Sequence, residues 1–299
     1  MKFLKISYLL FFCLALEAVI VDTGHANVSL VKFESLEGDS SKTLLGIKMD
    51  MQENWHTYWK NPGDSGGPIK VKWSHDNNIS ISKIYWPTPT LIPYEPLMTY
   101  GYKNFVIFPF EITNSNNKNS YIEANIDFLI CDDICVPEKA LIKTNLDEIK
   151  SDPSLNDWFL KVPDQILPVK ASVDSEYINI RFSSPFDVSS AIFFVDEQDI
   201  VEHAENQKLS KEENNYLLSI KKVDYLESFE NLSGVLSINN NEIFIIDAEI
   251  ENVTQNSFNI SFFQALIFAF VGGLILNLMP CVFPIISLKV LSFVSMSNQ

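Results

Sequence analysis

Cys131 and Cys135 are separated by Asp132, Asp133 and Ile134 in the segment Leu129-Ile-Cys-Asp-Asp-Ile-Cys-Val-Pro137. Thiols at this spacing can close a small disulfide ring, exchange it with other thiols, or ligate a metal. A further cysteine, Cys281, stands in Met279-Pro-Cys-Val-Phe-Pro284, inside a long apolar stretch. Two thiols in a polar region and one in an apolar helix point toward electron traffic across a bilayer. Cys13 lies in an N-terminal apolar segment without the small residues expected before a lipidated cysteine, and is expected to be discarded with it.

The bland reading of the pair is a structural disulfide. A ring this short constrains the unfolded chain by only about 2 kcal/mol on the loop-entropy account, so stability is a weak reason for it. Residues four apart in an extended strand are too distant to bond, which requires a turn or bulge at the pair. Asp132 and Asp133 place negative charge beside the sulfurs and disfavour a thiolate. The expectation is a good target for an incoming thiolate and a slow attacker until a partner docks. A zinc site needs four ligands, and His56 and His75 have no partner at a recognisable spacing. No metal site and no cofactor are expected.

Gly63-Asp-Ser-Gly-Gly-Pro68 matches the segment around the nucleophile of chymotrypsin-like proteases letter for letter. That chemistry needs a histidine base and an orienting aspartate converging on the serine. Too little chain precedes Ser65 to supply them, and the segment reads instead as a turn rich in Gly, Pro and Asp.

The compartment decides how the cysteines behave. Lys2 and Lys5, an apolar stretch from Ile6 to Val21, and the small residues Gly24 and Ala26 read as a secretory signal over residues 1–26. Export to an oxidising compartment allows the Cys131–Cys135 disulfide. The net charge of −16 excludes a nucleic-acid binder, which needs Lys and Arg to displace counterions from phosphate. With 22 Phe, 5 Trp and 10 Tyr the chain has the apolar material for packed cores.

From Phe262 to Ile286 the sequence carries no charge. About 20 apolar residues span a bilayer, so a transmembrane helix is expected within residues 262–295, with residues 27–260 outside the cytoplasm. Asn277, Pro280 and Pro284 suit a solitary anchor poorly, because each proline removes a backbone donor. Non-helical backbone at membrane depth is tolerated beside neighbouring protein, which favours the first helix of a larger membrane domain over a kinked anchor with an inert Cys281.

The elements between the two apolar segments read as strands. Ile47, Met49 and Met51 alternate with polar residues, as do Ile178, Ile180 and Phe182. Val235–Ile238 and Ile243–Ile246 flank Asn239-Asn-Asn-Glu242 as a hairpin, and Thr113–Ser120 reads as a polar hairpin loop. The prolines of Ser151–Ser154 and Val162–Pro168 mark a linker. The expected fold is all-β, with immunoglobulin-like β-sandwich domains in tandem at residues 27–160 and 168–255, followed by the membrane helix.

Trp55-His-Thr-Tyr-Trp-Lys-Asn-Pro-Gly-Asp-Ser-Gly66, Trp86-Pro, Tyr100-Gly-Tyr102, Phe108-Pro-Phe, Cys131-Asp-Asp-Ile-Cys-Val-Pro-Glu138 and Leu278-Met-Pro-Cys-Val-Phe-Pro284 with Ser287-Leu-Lys289 occur in that order. Together they resemble the thiol:disulfide interchange transporters of the DsbD/ScsB type. The resemblance implies a relay of reducing equivalents from cytoplasmic thioredoxin, through a polytopic membrane domain, to a periplasmic immunoglobulin-like domain that reduces thioredoxin-like client proteins. Cys131 and Cys135 would be the exported pair and Cys281 the first membrane cysteine. The three-residue spacing of the pair is closer to the ScsB-like branch. The sequence ends at Gln299, so the expectation is either a fragment of a split or frameshifted gene, or one half of a two-chain system in which a membrane partner carries the remaining helices and the second membrane cysteine.

Two readings follow. One is a protein-disulfide reductase domain of the inner membrane that takes electrons from a membrane partner and passes them to oxidised clients. The other is a non-catalytic, membrane-anchored β-sandwich interaction module with a static disulfide.

Overall fold

The computed structural model describes residues 19–33, 42–114, 119–213, 215–226, 229–251 and 262–277. Residues up to Val253 belong to one compact unit and those from Thr254 to a second. The first unit is all-β apart from a short helical turn.

Its N-terminal half runs through β1 (Ile20–Asp22), β2 (Ala26–Lys32), β3 (Lys42–Met51), β4 (His56–Gly63), β5 (Lys70–His75), β6 (Ile79–Ile81), β7 (Thr90–Tyr94), β8 (Leu97–Lys103), β9 (Phe105–Asn114), β10 (Tyr121–Cys131) and β11 (Cys135–Asn145). One sheet has the order β1-β2-β3-β9-β6 and the other β11-β10-β4-β8-β7, with β5 paired to β10. Side chains alternate between the faces of a strand. Ile47 and Met49 of β3 and Ile122, Ile126 and Ile130 of β10 therefore enter one shared core. The alternation expected at Ile47, Met49 and Met51 is that of β3.

A short helix α1 (Asn156–Phe159) connects to the second half: β12 (Val169–Val173), β13 (Tyr177–Phe182), β14 (Ala191–Val195), β15 (Lys208–Glu212), β16 (Asn215–Lys221), β17 (Asn231–Ile238) and β18 (Glu242–Glu251). These make one path, β14-β17-β18-β12-β13-β16-β15, that closes around a second core. Ile178, Ile180 and Phe182 of β13 point into it. The hairpin expected around residues 239–242 joins β17 to β18, with Asn239 and Asn240 at φ 50° and 62°. Asparagine tolerates this left-handed region better than most residues.

The halves differ from beads on a linker, because the first core also takes in Phe194 and Val235 of the second half. The segment expected as a signal also contributes to the fold: β1 pairs with β2, Ile20 opposite Ser29 and Asp22 opposite Asn27. Gly24, at φ +108°, turns the chain between them. The small residues that resemble a processing site thus also meet the steric needs of a tight hairpin.

The second unit contains α2 (Phe262–Asn277), 16 residues long. At about 1.5 Å per residue it reaches about 24 Å. A bilayer's apolar core is about 30 Å. Among the described residues no helix is long and apolar enough to cross a membrane. The rest of the expected span, Cys281 included, lies outside the described residues, as do residues 115–118 of the expected polar loop. Phe268, Phe270 and Ile275 of α2 are exposed.

Candidate functional site

β10 and β11 form a long antiparallel hairpin whose last partners are Cys131 and Cys135. The two are disulfide-bonded, with Cα atoms 4.2 Å apart. The turn that the pair requires is the loop Asp132-Asp133-Ile134, closed by the Asp132 backbone N–H donating to the Ile134 carbonyl at 3.2 Å. The two sulfurs are not equivalent. Cys131 is the last buried residue of β10, at 1% exposure, whereas Cys135 is exposed. Ile134 beside it is 68% exposed.

Tyr58 of β4 supports the pair from beneath. Its hydroxyl donates to Cys131 Sγ at 2.8 Å and lies 3.3 Å from Cys135 Sγ. Burial pushes the phenol's pKa up, so at neutral pH the hydroxyl keeps its proton and acts as a donor. The neighbouring Thr57 hydroxyl donates to the Leu129 carbonyl at 2.9 Å and ties β4 to β10. His56 is the cross-strand partner of both Cys131 and Lys103, and its ring meets Tyr58 edge-on at 5.3 Å. Burial lowers its pKa, Lys103 lowers it further, and Asp132 acts in the opposite direction. The net effect is a neutral imidazole at neutral pH.

The Gly-Asp-Ser-Gly-Gly-Pro segment has a structural part here. Tyr58 bridges to Pro68, and Gly66, at φ +93°, lies flat against the tyrosine ring. A Cβ at Gly66 would fall 2.2 Å from the ring carbons. Asp64 anchors the loop by accepting from the Met98 backbone N–H at 2.8 Å. The segment therefore holds the residue that touches the disulfide.

Glu138, on the same strand as Cys135, is 7% exposed and is grasped from the N-terminus. His25 Nδ1 meets one carboxylate oxygen at 2.5 Å, and the Thr23 hydroxyl donates to the other. The His25 ring stacks on Trp55 at 3.9 Å. Removing these partners leaves a buried carboxylate without its donors, a loss of about 2 kcal/mol or more. A chain beginning at Asn27 is therefore expected to unfold at lower urea than one beginning at Val19, and paired denaturation curves check it.

Sequence reasoning singled out Cys131 and Cys135, which the structure joins. It did not find roles for Tyr58, Gly66, His25 or Glu138, although Tyr58, Gly66 and Glu138 stand in the segments that carry the family resemblance. Among the described residues no group of His, Cys, Asp and Glu could hold a metal ion.

The site is that of a β-sandwich domain bearing a partly exposed disulfide at a hairpin end, with a buried tyrosine against its sulfurs. Residues 27–146 match the family described as the N-terminal domain of thiol:disulfide interchange protein DsbD. The fold is similar to the crystal structure of the N-terminal periplasmic domain of ScsB from Proteus mirabilis, with TM-score 0.60 and 17% sequence identity over 77% of this chain and 96% of that one. No curated protein matches the chain.

Proposed function

We propose that the chain exchanges thiols and disulfides in the periplasm through Cys131 and Cys135, as an acceptor and donor of two electrons. The observation that carries this reading is the asymmetry of the bond: Cys135 is an exposed residue, and Cys131 is a buried one whose sulfur accepts a hydrogen bond from Tyr58.

A partner's thiolate attacks Cys135 Sγ, the sulfur of the exposed cysteine. The Cys131–Cys135 bond breaks, and Cys131 leaves as a thiolate that keeps the Tyr58 hydrogen bond and then takes a proton. Exchange is faster when the leaving sulfur is the better stabilised one, and the tyrosine supplies that stabilisation. The partner's second thiol attacks the mixed disulfide, releasing Cys135 reduced and the partner oxidised. Toward an oxidised client the sequence reverses: Cys135 attacks, and Cys131 resolves the mixed disulfide. The neutral His56 adds no positive charge that would hold the Cys131 thiolate in place, which favours its onward reaction.

The family match supports thiol–disulfide interchange, and the likeness to a periplasmic domain of ScsB supports a periplasmic location. In this reading the electrons come from a membrane domain fed by cytoplasmic thioredoxin, and the acceptors are thioredoxin-like clients. The exposed apolar residues of α2 fit an inner-membrane attachment continued by the uncharged residues after it, with Cys281 as a membrane thiol of the same relay.

The test mixes the reduced full chain with an oxidised thioredoxin-fold protein and follows free thiols on each. Transfer of two electrons per chain is expected. Retention of both thiols by this chain while the acceptor stays oxidised would overturn the proposal.

A further inference from the structure

Burial does not alternate along β4: His56, Thr57, Tyr58 and Trp59 are all buried, as are Asn61 and Pro62. Gly66 and the disulfide cover Tyr58. The second half of the unit meets β4 over the three consecutive residues directly after this tyrosine. The Trp59 ring lies 6.2 Å from Phe194, edge-on. Lys60 Nζ is 2.7 Å from Asp196 Oδ1. Asn61, fully buried, donates both amide protons across the junction, to the carbonyls of Val195 and Glu197, each at 2.9 Å. Its own oxygen accepts from the Gly63 backbone N–H at 3.0 Å, so the amide is spent on fixing position.

The contact falls where β4 lacks ordinary support. Its pairing with β8 is regular at His56, Thr57 and Tyr58, then shifts register before resuming at Gly63. A bulge of this kind re-aims side chains and leaves backbone groups outside the ladder. Between Tyr58 and Gly63 the strand is thus located by residues 194–197 of the second half as well as by its own sheet. Tyr100 extends the contact from β8, with its ring 5.1 Å from Phe194 and 4.9 Å from His203.

We propose that the second β-sandwich positions the redox pair: its segment 194–197 clamps the bulged part of β4 and so holds the Tyr58 hydroxyl on Cys131 Sγ. Asn61 is the central positioning residue. This inference rests on the redox reading above and gives the second sandwich a part in it.

A double-mutant cycle on the full chain tests it, read as the second-order rate of disulfide reduction by dithiothreitol across pH. Tyr58→Phe removes the donor to the leaving sulfur and is expected to slow reduction about tenfold, as loss of a hydrogen bond to a charged group would. Asn61→Ala is expected to slow it comparably when Tyr58 is present and by less than about twofold in the Tyr58→Phe background, because the effect passes through the tyrosine. Phe194→Leu, which keeps both Asn61 hydrogen bonds, supplies a second cycle should Asn61→Ala fail to fold. Additive effects in the cycle, or an Asn61→Ala chain that is less stable yet reduced at the unchanged rate, would overturn the inference alone. A wild-type chain that dithiothreitol cannot reduce would remove the redox reading and this inference with it.

Discussion

The Cys131→Ala and Cys135→Ala chains are expected to lose exchange completely and yet differ sharply in thiol reactivity. In Cys131→Ala the remaining thiol of the pair is at the exposed position 135, beside the exposed Ile134. In Cys135→Ala it is at position 131, 1% exposed and hydrogen-bonded to Tyr58 in the oxidised chain. Cysteine reactivity requires access as well as thiolate, and a buried thiol is nearly inert. Labelling with an aromatic disulfide reagent is expected to be on the order of a hundredfold faster for Cys131→Ala. Only that variant is expected to accumulate a stable mixed disulfide with a partner, since the resolving thiol is gone. Equal labelling rates would mean that attack is not confined to Cys135. The small ring of the disulfide implies a modest stability loss in either variant, about 2 kcal/mol at most.

Gly66→Ala carries the second large effect, because two independent penalties act at one position. The added Cβ would overlap the Tyr58 ring at 2.2 Å, and the backbone sits at φ +93°, where L residues are strained. Overpacking costs about 1–3 kcal/mol. A left-handed backbone at a residue other than glycine adds about 1–2 kcal/mol. The expected loss is therefore about 3 kcal/mol, with slower reduction because relief requires the tyrosine ring to leave the sulfurs. Gly67→Ala is the matched control: its Cβ would meet Leu129 Cδ1 at 3.7 Å, an ordinary contact. Urea midpoints and dithiothreitol rates for the two variants check this, and a silent Gly66→Ala would show that the loop does not hold Tyr58.

Much of the strand pattern was legible because burial on one face of a sheet leaves a period of two in the sequence. Ile47, Met49 and Met51, the β13 residues, and the hairpin around Asn239 all carry it. The pair at Cys131 and Cys135 was legible through a distance argument: the bond demanded a turn, and the β10–β11 loop is that turn. Tyr58 was not, since its contact with Cys131 spans 73 positions and depends on β4 lying next to β10. No local pattern encodes which strands become neighbours. The His25–Glu138 contact spans 113 positions and is hidden for the same reason. Gly24 and Ala26 illustrate a different limit, because small residues suit both a processing site and a tight hairpin, and spacing alone does not separate the two. The junction at Phe194 escaped because a linker rich in proline says where one sandwich ends and nothing about whether it docks on the other.

The claim that everything else depends on is that Cys131 and Cys135 form a redox-active pair rather than a fixed staple. Its most direct test is the reduction potential of the chain, obtained by equilibrating it in glutathione and dithiothreitol buffers and counting free thiols at each poise. Structural disulfides in secreted proteins sit below about −300 mV, and exchange proteins sit above that value. The account predicts a two-electron transition well above it. A bond that stays oxidised through the glutathione range, opening only near or below that limit, would make the pair structural and contradict the account.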